Sequence, residues 1–254
     1  MEKTARFTYY IQASQGNAQG ELSLSQLVKW MLDAATSHAE SWGVGYSTLI
    51  QENRVWVLAR LGVEMDRFPV IGDTLVIETW VEGYNPHFSA RNFRFTDLSG
   101  SVLGYARTIW SVIDVETRHS VDLGEFCDMN RFVADKACPM SPLAKIRDFS
   151  EGEVIVRPVR YSDIDLNRHV NSVKYIEYMQ DVFPLQTYDT DRIARFEINY
   201  LNEARYGMNL KLFNAKKLQN EYFLAIKNEE NETMCRGKVI FAPRKEKESM
   251  FNQQ

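Results

Sequence analysis

LARLGVEM, Leu58–Met65, returns 135 residues later as IARFEINY, Ile193–Tyr200. Apolar side chains take every second position in both: Ala59, Leu61, Val63 and Met65 in the first, Ala194, Phe196, Ile198 and Tyr200 in the second. A period of two places each set on one face of a half-buried strand. The same offset pairs Gly72 with Gly207 and Leu75 with Leu210, so the correspondence outlasts the strand. Two copies of one folding unit in a single chain follow from this reading.

A helical pattern precedes each of these strands. The SxxQ of Ser23–Gln26 has the form of a capping box, and Leu24, Leu27, Val28, Met31, Leu32 and Ala35 then give an apolar stripe of helical spacing. In the second copy Val173, Ile176 and Met179 recur every third residue, which predicts a helix over 170–182. VKW at Val28 matches VKY at Val173 with an offset of 145, so the first copy carries about ten extra residues between helix and strand. Further strands are expected near 6–12, 73–82, 90–96 and 101–114, the stretch from Arg54 onward forming an antiparallel meander. The second copy repeats them near 154–160, 192–201, 209–216, 221–228 and 234–241. Residues 134–152 lose periodicity, contain two prolines and read as a linker. The expected division is a first unit, 1–133, a linker, 134–152, a second unit, 153–245, and a mobile tail, 246–254. Each unit is a sheet wrapped around a long helix, an α+β design.

Apolar residues at 44% and charged residues at 25% describe an ordinary soluble globular protein. A net charge of −4 without a Lys/Arg block argues against nucleic acid as a partner, while leaving room for a local basic patch facing an acidic protein. MEKTARFTYY has no signal-peptide core, and no run of about 18 apolar residues suggests a membrane span, so the profile is cytoplasmic. Cys127, Cys138 and Cys235 show no CxxC spacing, and His38, His87, His119 and His169 lie far apart. Neither a metal nor another cofactor is called for.

YSDIDLNRHVNSVKYIEY, Tyr161–Tyr178, sets Asp163, Asp165, Asn167, His169 and Asn171 on odd positions ahead of the second helix. Polar groups at the mouth of a buried helix are costly to hold unless they bind something, and helix N-terminal amides suit a developing oxyanion. Cap and turn chemistry is the competing reading for Asp163 and Asn167. The repeat bears on the choice. With offsets of 145 and 135, Asp165 falls opposite Gly20, Asn167 opposite Leu22, His169 opposite Leu24, and Glu203 opposite Phe68. Residues polar in one copy and apolar or Gly in the other are expected to serve function rather than fold.

RPVRYSDIDLNRHVNSVKYIEYM, together with NYLNEARYG, RVWVLARLGVEMDRFPVIGDTLVIETWVE and ARTIWSVIDVETRHS, resembles the acyl-acyl-carrier-protein thioesterases of plants and bacteria. The likeness covers nearly the whole chain. Its specific part is the DxNxHVN run with a downstream Glu; Asp-x-Asp alone is shared by many hotdog proteins. The resemblance implies a double hotdog fold and hydrolysis of the thioester between a fatty acyl chain and the 4′-phosphopantetheine arm of acyl carrier protein. It implies Asp165, Asn167, His169 and Glu203 as the catalytic set, and a first unit that shapes the acyl pocket. The chain departs from many plant members at Ala204, where they carry Cys directly after the Glu. A carboxylate-and-water mechanism is therefore expected: Glu203 with His169 activates water, and Asn167 with helix N-terminal amides holds the carbonyl oxygen. Asp165 either orients His169 or acts as nucleophile. Trp30, Trp56, Trp80 and Trp110 are candidates for lining an alkyl tunnel. An acyl-CoA thioesterase and a non-catalytic acyl-binding protein are the rival readings. The duplication makes a monomer plausible alongside a homodimer.

Overall fold

The computed structural model describes residues 2–149 and 151–244, so the expected tail, 246–254, lies outside the described residues. The strands are β1 (Thr4–Tyr10), β2 (Arg54–Met65), β3 (Thr74–Tyr84), β4 (Ser89–Thr96), β5 (Val102–Asp114), β6 (Glu153–Pro158), β7 (Asp191–Tyr200), β8 (Asn209–Lys216), β9 (Glu221–Lys227) and β10 (Thr233–Pro243). They form one 10-stranded sheet in the order β1-β3-β4-β5-β2-β7-β10-β9-β8-β6. The order is the same read from either edge: β6 answers β1, β8 answers β3, β9 answers β4, and β10 answers β5. The expected meander holds for β3, β4 and β5, but β2 does not pair with β3. It lies beyond β5, where it pairs antiparallel with both β5 and β7.

The β2–β7 seam shows why the offset of 135 is the true one for the strands. Leu61 lies opposite Ile198, Val63 opposite Phe196, and Gly62 opposite Glu197, its own counterpart in the repeat. A local two-fold axis therefore passes through the Gly62–Glu197 pair. A register slip between Leu58 and Arg60 leaves Ala59 unpaired with β5, and the slip in the β7–β10 pairing skips Ala194 in the same way. Both copies thus carry a β-bulge at the same position, which bends and twists each half-sheet.

The helices are α1 (Leu24–Ser41), α2 (Tyr46–Leu49), α3 (Leu123–Phe126), α4 (Ser172–Gln180) and α5 (Leu185–Thr190). Ser23 caps α1 by accepting from the Gln26 amide at 3.2 Å. Leu27, Val28 and Met31 of α1 and Ile176 and Met179 of α4 share one buried cluster with Phe93, Phe95, Phe196 and Ile198 from both half-sheets. At about 2 kcal/mol for each fully buried large apolar side chain, this shared cluster is the main term holding the units together. Residues 134–149, which carry neither helix nor strand, run over the opposite face. Trp80 donates to the Lys136 carbonyl at 2.7 Å, Arg107 to that of Met140 at 2.8 Å, and Arg60 to that of Leu143 at 3.3 Å. Farther along, Asn199 accepts from the Ile146 amide at 2.8 Å, so the segment crosses the seam.

Near the C-terminal end of α1, His38 is buried at 3% exposure. Its Nδ1 lies 3.2 Å from Arg91 Nη1 and its Nε2 lies 3.3 Å from the Glu2 carbonyl. With Arg91 donating to Nδ1, the ring is neutral and donates through Nε2. Burial, and then the Arg91 charge, hold its pKa down to about 4 from 6.5. In the unfolded chain the ring protonates near 6.5, so acidification between about pH 6.5 and 4 favours unfolding. His38 should therefore make stability fall by about 3 kcal/mol across that interval. Urea unfolding at stepped pH should show this slope in the parent and a shallower one in His38→Asn. Equal slopes would contradict it.

Candidate active site

The turn that carries the expected site residues is built by Asp165. Ile164 and Val170 pair across it, the Asp165 amide donates to the His169 carbonyl at 2.9 Å, and the Arg168 amide donates to the Asp165 carbonyl at 3.1 Å. Asp165 Oδ1 accepts from the amides of Asn167 at 2.8 Å and His169 at 3.4 Å. Arg168 takes a left-handed conformation, φ 61°.

The first unit makes the same turn from other residues. Gly16 pairs with Leu22, the Asn17 amide donates to the Glu21 carbonyl at 2.7 Å, and Asn17 Oδ1 accepts from the amides of Gln19 and Glu21, each at 3.0 Å. Gly20, φ 72°, stands where Arg168 stands. The equivalence here is an offset of 148 (Asn17 to Asp165), not the 145 expected from VKW and VKY. Caps confirm it, since Ser23 precedes α1 and Asn171 precedes α4. Asp165 therefore corresponds to Asn17, Asn167 to Gln19 and His169 to Glu21, all polar, and the expected contrast with Gly20, Leu22 and Leu24 is withdrawn. The contrast between Glu203 and Phe68 stands, because Val170 donates to the Ala204 carbonyl at 2.9 Å as Leu22 does to that of Pro69 at 2.8 Å.

The helix also starts later than expected. Asn171 Oδ1 accepts from the Val173 amide at 2.9 Å, and α4 begins at Ser172. The expected site residues precede this terminus, whose Val173 amide is already taken up by Asn171. Asp163, 2% exposed, accepts from the Arg160 amide at 2.7 Å and serves the fold.

Two of the four expected site residues meet through their side chains. His169 Nε2 lies 3.3 Å from Glu203 Oε2. Glu203 Oε1 accepts from Arg118 at 2.7 Å, a residue the sequence reading did not single out. Asp165 approaches His169 only through its backbone, while the side chain of Asn167 is exposed in the same cleft beside Tyr161, Arg205 and Tyr206. Topology brings Arg118 and Glu203 together. β5 and β7 both run antiparallel to β2 and flank it, so the chains leaving their C-terminal ends emerge at the same end of the sheet, two strand spacings apart. Arg118 lies in the loop after β5, its amide bonded to the Asp114 carbonyl at 2.9 Å and its φ at 62°. Glu203 follows β7. The first unit thus supplies a cation to a carboxylate of the second.

At the same end of β2 a narrow pocket opens within the first unit, lined by Ala39, Trp42, Trp56, Val81, Trp110 and Phe132 among others. Of the four expected tunnel residues, Trp56 and Trp110 line it; Trp30 stacks on Tyr9 at 4.5 Å, and Trp80 is buried under residues 134–143 on the opposite face. Ala204 is fully buried, its amide donating to the Tyr175 hydroxyl at 2.8 Å. Burial raises the pKa of Cys127, Cys138 and Cys235 alike, keeping all three as thiols. Among the described residues, no three of His, Cys, Asp and Glu converge as metal ligands.

Residues 2–128 match the model of the acyl-ACP thioesterase N-terminal domain, and 147–243 that of its C-terminal domain. An acyl-ACP thioesterase structure from Bacteroides thetaiotaomicron is 35% identical, covers 94% of this chain and 98% of its own, and superposes with a TM-score of 0.90. The 12:0-ACP thioesterase of Umbellularia californica is 20% identical with a TM-score of 0.84, over 96% of this chain and 99% of its own, and supports the fold. A chloroplastic dodecanoyl-[acyl-carrier-protein] hydrolase of Cinnamomum camphora is 25% identical over 217 residues, 78% of this chain and 56% of that protein. The chain spans about half the length of the curated relatives it matches.

Asn17 shows that an amide makes both bonds of the turn as well as a carboxylate does. Asp165→Asn should accordingly change unfolding free energy by less than about 0.5 kcal/mol, while Asp165→Ala, which leaves two amides without their acceptor, should cost about 1 kcal/mol. Urea titration of both variants tests this; equal losses would remove the turn-forming role.

Proposed function

The chain belongs to the acyl-ACP thioesterase family, and from that premise we propose that it hydrolyses the thioester of fatty acyl carrier protein, releasing free fatty acid and thiol and ending chain elongation. The observation that carries this reading is the His169–Glu203–Arg118 cluster at the same end of β2 as an apolar pocket. A thioester needs a base for water, a donor for the carbonyl oxygen and a channel for the alkyl chain. Each has a candidate here. Alkyl burial in such a pocket contributes about 0.8 kcal/mol per methylene.

In the proposed reaction the acyl chain enters the first unit's pocket and the thioester rests at His169 and Glu203. Glu203, fixed by Arg118, takes a proton from water as the oxygen attacks the acyl carbon. The Asn167 side chain donates to the oxyanion. Collapse breaks the carbon–sulfur bond, and the thiolate recovers the proton through His169. Asp165 acts as the residue that builds the turn and so orients His169. Its Oδ1 already accepts two amides, which favours this role over that of nucleophile.

The carrier is strongly acidic, and the rim of the cleft is suited to it. Arg160, Arg168 and Arg205 are exposed there, with Tyr161, Leu166 and Tyr206 at 88%, 79% and 69% exposure. A patch of cations and apolar rings fits an acidic helical partner. No helix among the described residues is long and apolar enough to cross a membrane. Since both units sit in one chain and form one sheet, a monomer would hold a complete site.

His169→Ala and Glu203→Ala should each lower kcat on acyl carrier protein substrates by about 100-fold or more. Arg118→Met should lower kcat with little change in KM, because it fixes Glu203 rather than binding substrate. Thiol-release assays with acyl carrier protein and acyl-CoA series measure both effects. Near-parent turnover in His169→Ala and Glu203→Ala would overturn the site, and faster turnover of the CoA series would reassign the carrier. Alkylating the accessible thiols with iodoacetamide at neutral pH should leave turnover unchanged. Stoichiometric inactivation would instead implicate a cysteine.

A further inference from the structure

Arg91 of β4 is 6% exposed and lines the first unit's pocket, together with Ser89, Thr36 and Trp42. Its guanidinium lies over the Trp42 ring, 5.2 Å from the centroid. Nη1 bonds to Thr79 Oγ1 at 3.3 Å and to neutral His38 at 3.2 Å. Nε and Nη2 donate to no protein acceptor among the described residues. Several part-buried arginines have carboxylates: Arg107 pairs with Glu82, Arg195 with Glu64 and Glu197, Arg236 with Asp148, and Arg244 with Glu21, while Arg60 and Arg192, less buried than Arg91, donate to the carbonyls of Leu143 and Met65. Arg91 has none. Burial alone draws its pKa down, to about 10, so it remains charged at neutral pH.

A buried cation without a counter-charge is costly unless something in its cavity accepts its hydrogen bonds. A plain alkyl chain reaching this depth would strip the remaining hydration from the guanidinium and replace it with nothing. An oxygen on the chain would restore the lost bonds. We propose that this pocket selects acyl chains carrying an oxygen acceptor, a hydroxyl, keto or carboxylate group, at the depth of Arg91, and that Arg91 is the residue that selects them. The inference rests on the reading above in which the pocket receives the acyl chain. It differs from a mere length stop, in which the guanidinium would repel any chain that reached it.

S-Alkyl pantetheine thioethers, which cannot be hydrolysed, separate these possibilities by calorimetry. Three series of graded length are compared: plain, with a terminal hydroxyl, and with a terminal carboxylate. In the parent protein one oxygenated series should bind at least tenfold more tightly than the plain series at the length that sets its oxygen beside Arg91, and this margin should vanish in Arg91→Met. Which series gains tells a neutral acceptor from an anion. Equal affinities at every length in the parent, or a margin that survives in Arg91→Met, would overturn the proposal. So would a pattern in which Arg91→Met merely admits longer plain chains. The parent comparison needs no variant, so a folding defect in Arg91→Met leaves the proposal falsifiable. Binding is read without turnover: discrimination in a protein that releases no thiol would sink the hydrolase reading alone, and turnover without discrimination would sink this one alone.

Discussion

The antiparallel pairing of β2 with β7 is the constraint on which the rest of the molecule depends. It fuses two half-sheets about the Gly62–Glu197 pair and puts α1 and α4 on one face over a common apolar cluster. It also decides where the site can be. Because β5 and β7 flank β2 and run the same way, the loop after β5 and the loop after β7 leave the sheet at one end, and Arg118 meets Glu203 there. The other end of the seam has the symmetry-related arrangement with different residues: Glu21 pairs with Arg244, and Phe68 stands where Glu203 would be. That end retains a paired carboxylate but no base beside a histidine.

Duplication of the turn separates fold from chemistry within one chain. Asn17 and Asp165 accept hydrogen bonds from equivalent pairs of amides, so Asp165 does not need its charge for the turn. The second copy differs in presenting an imidazole at His169 and a carboxylate at Glu203, at 3.3 Å. In the proposed reaction the chemistry resides in what faces the turn, and in the cation that the first unit contributes. Pocket and carboxylate also lie on opposite sides of the seam, which makes each unit incomplete alone.

Much of this was legible in the residues. The period of two in Leu58–Met65 and Ile193–Tyr200 gave strand, face and register offset, since all are local consequences of side-chain alternation. The motif around His169 and the downstream Glu203 singled out two residues that the structure brings to 3.3 Å. Three things were not legible. The match of VKW with VKY set the helices three residues out of phase, because a short identity outweighed the caps at Ser23 and Asn171, and the false phase produced a false contrast. The place of β2 beyond β5 depends on tertiary pairing that no local pattern encodes. Arg118 is nearly 90 residues from Glu203 in sequence, their separation being 85, and reaches it only through strand order and a left-handed loop residue.

The account centres on water activated at Glu203 and His169, with Asp165 shaping the turn and no covalent acyl-enzyme. A single turnover of acyl carrier protein substrate in ¹⁸O-labelled water, with protein in excess, tests this most directly by mass spectrometry of both products. The account predicts one ¹⁸O in the released fatty acid and none in the peptide carrying Asp165. Label in that peptide, with an unlabelled acid from the first turnover, would contradict it.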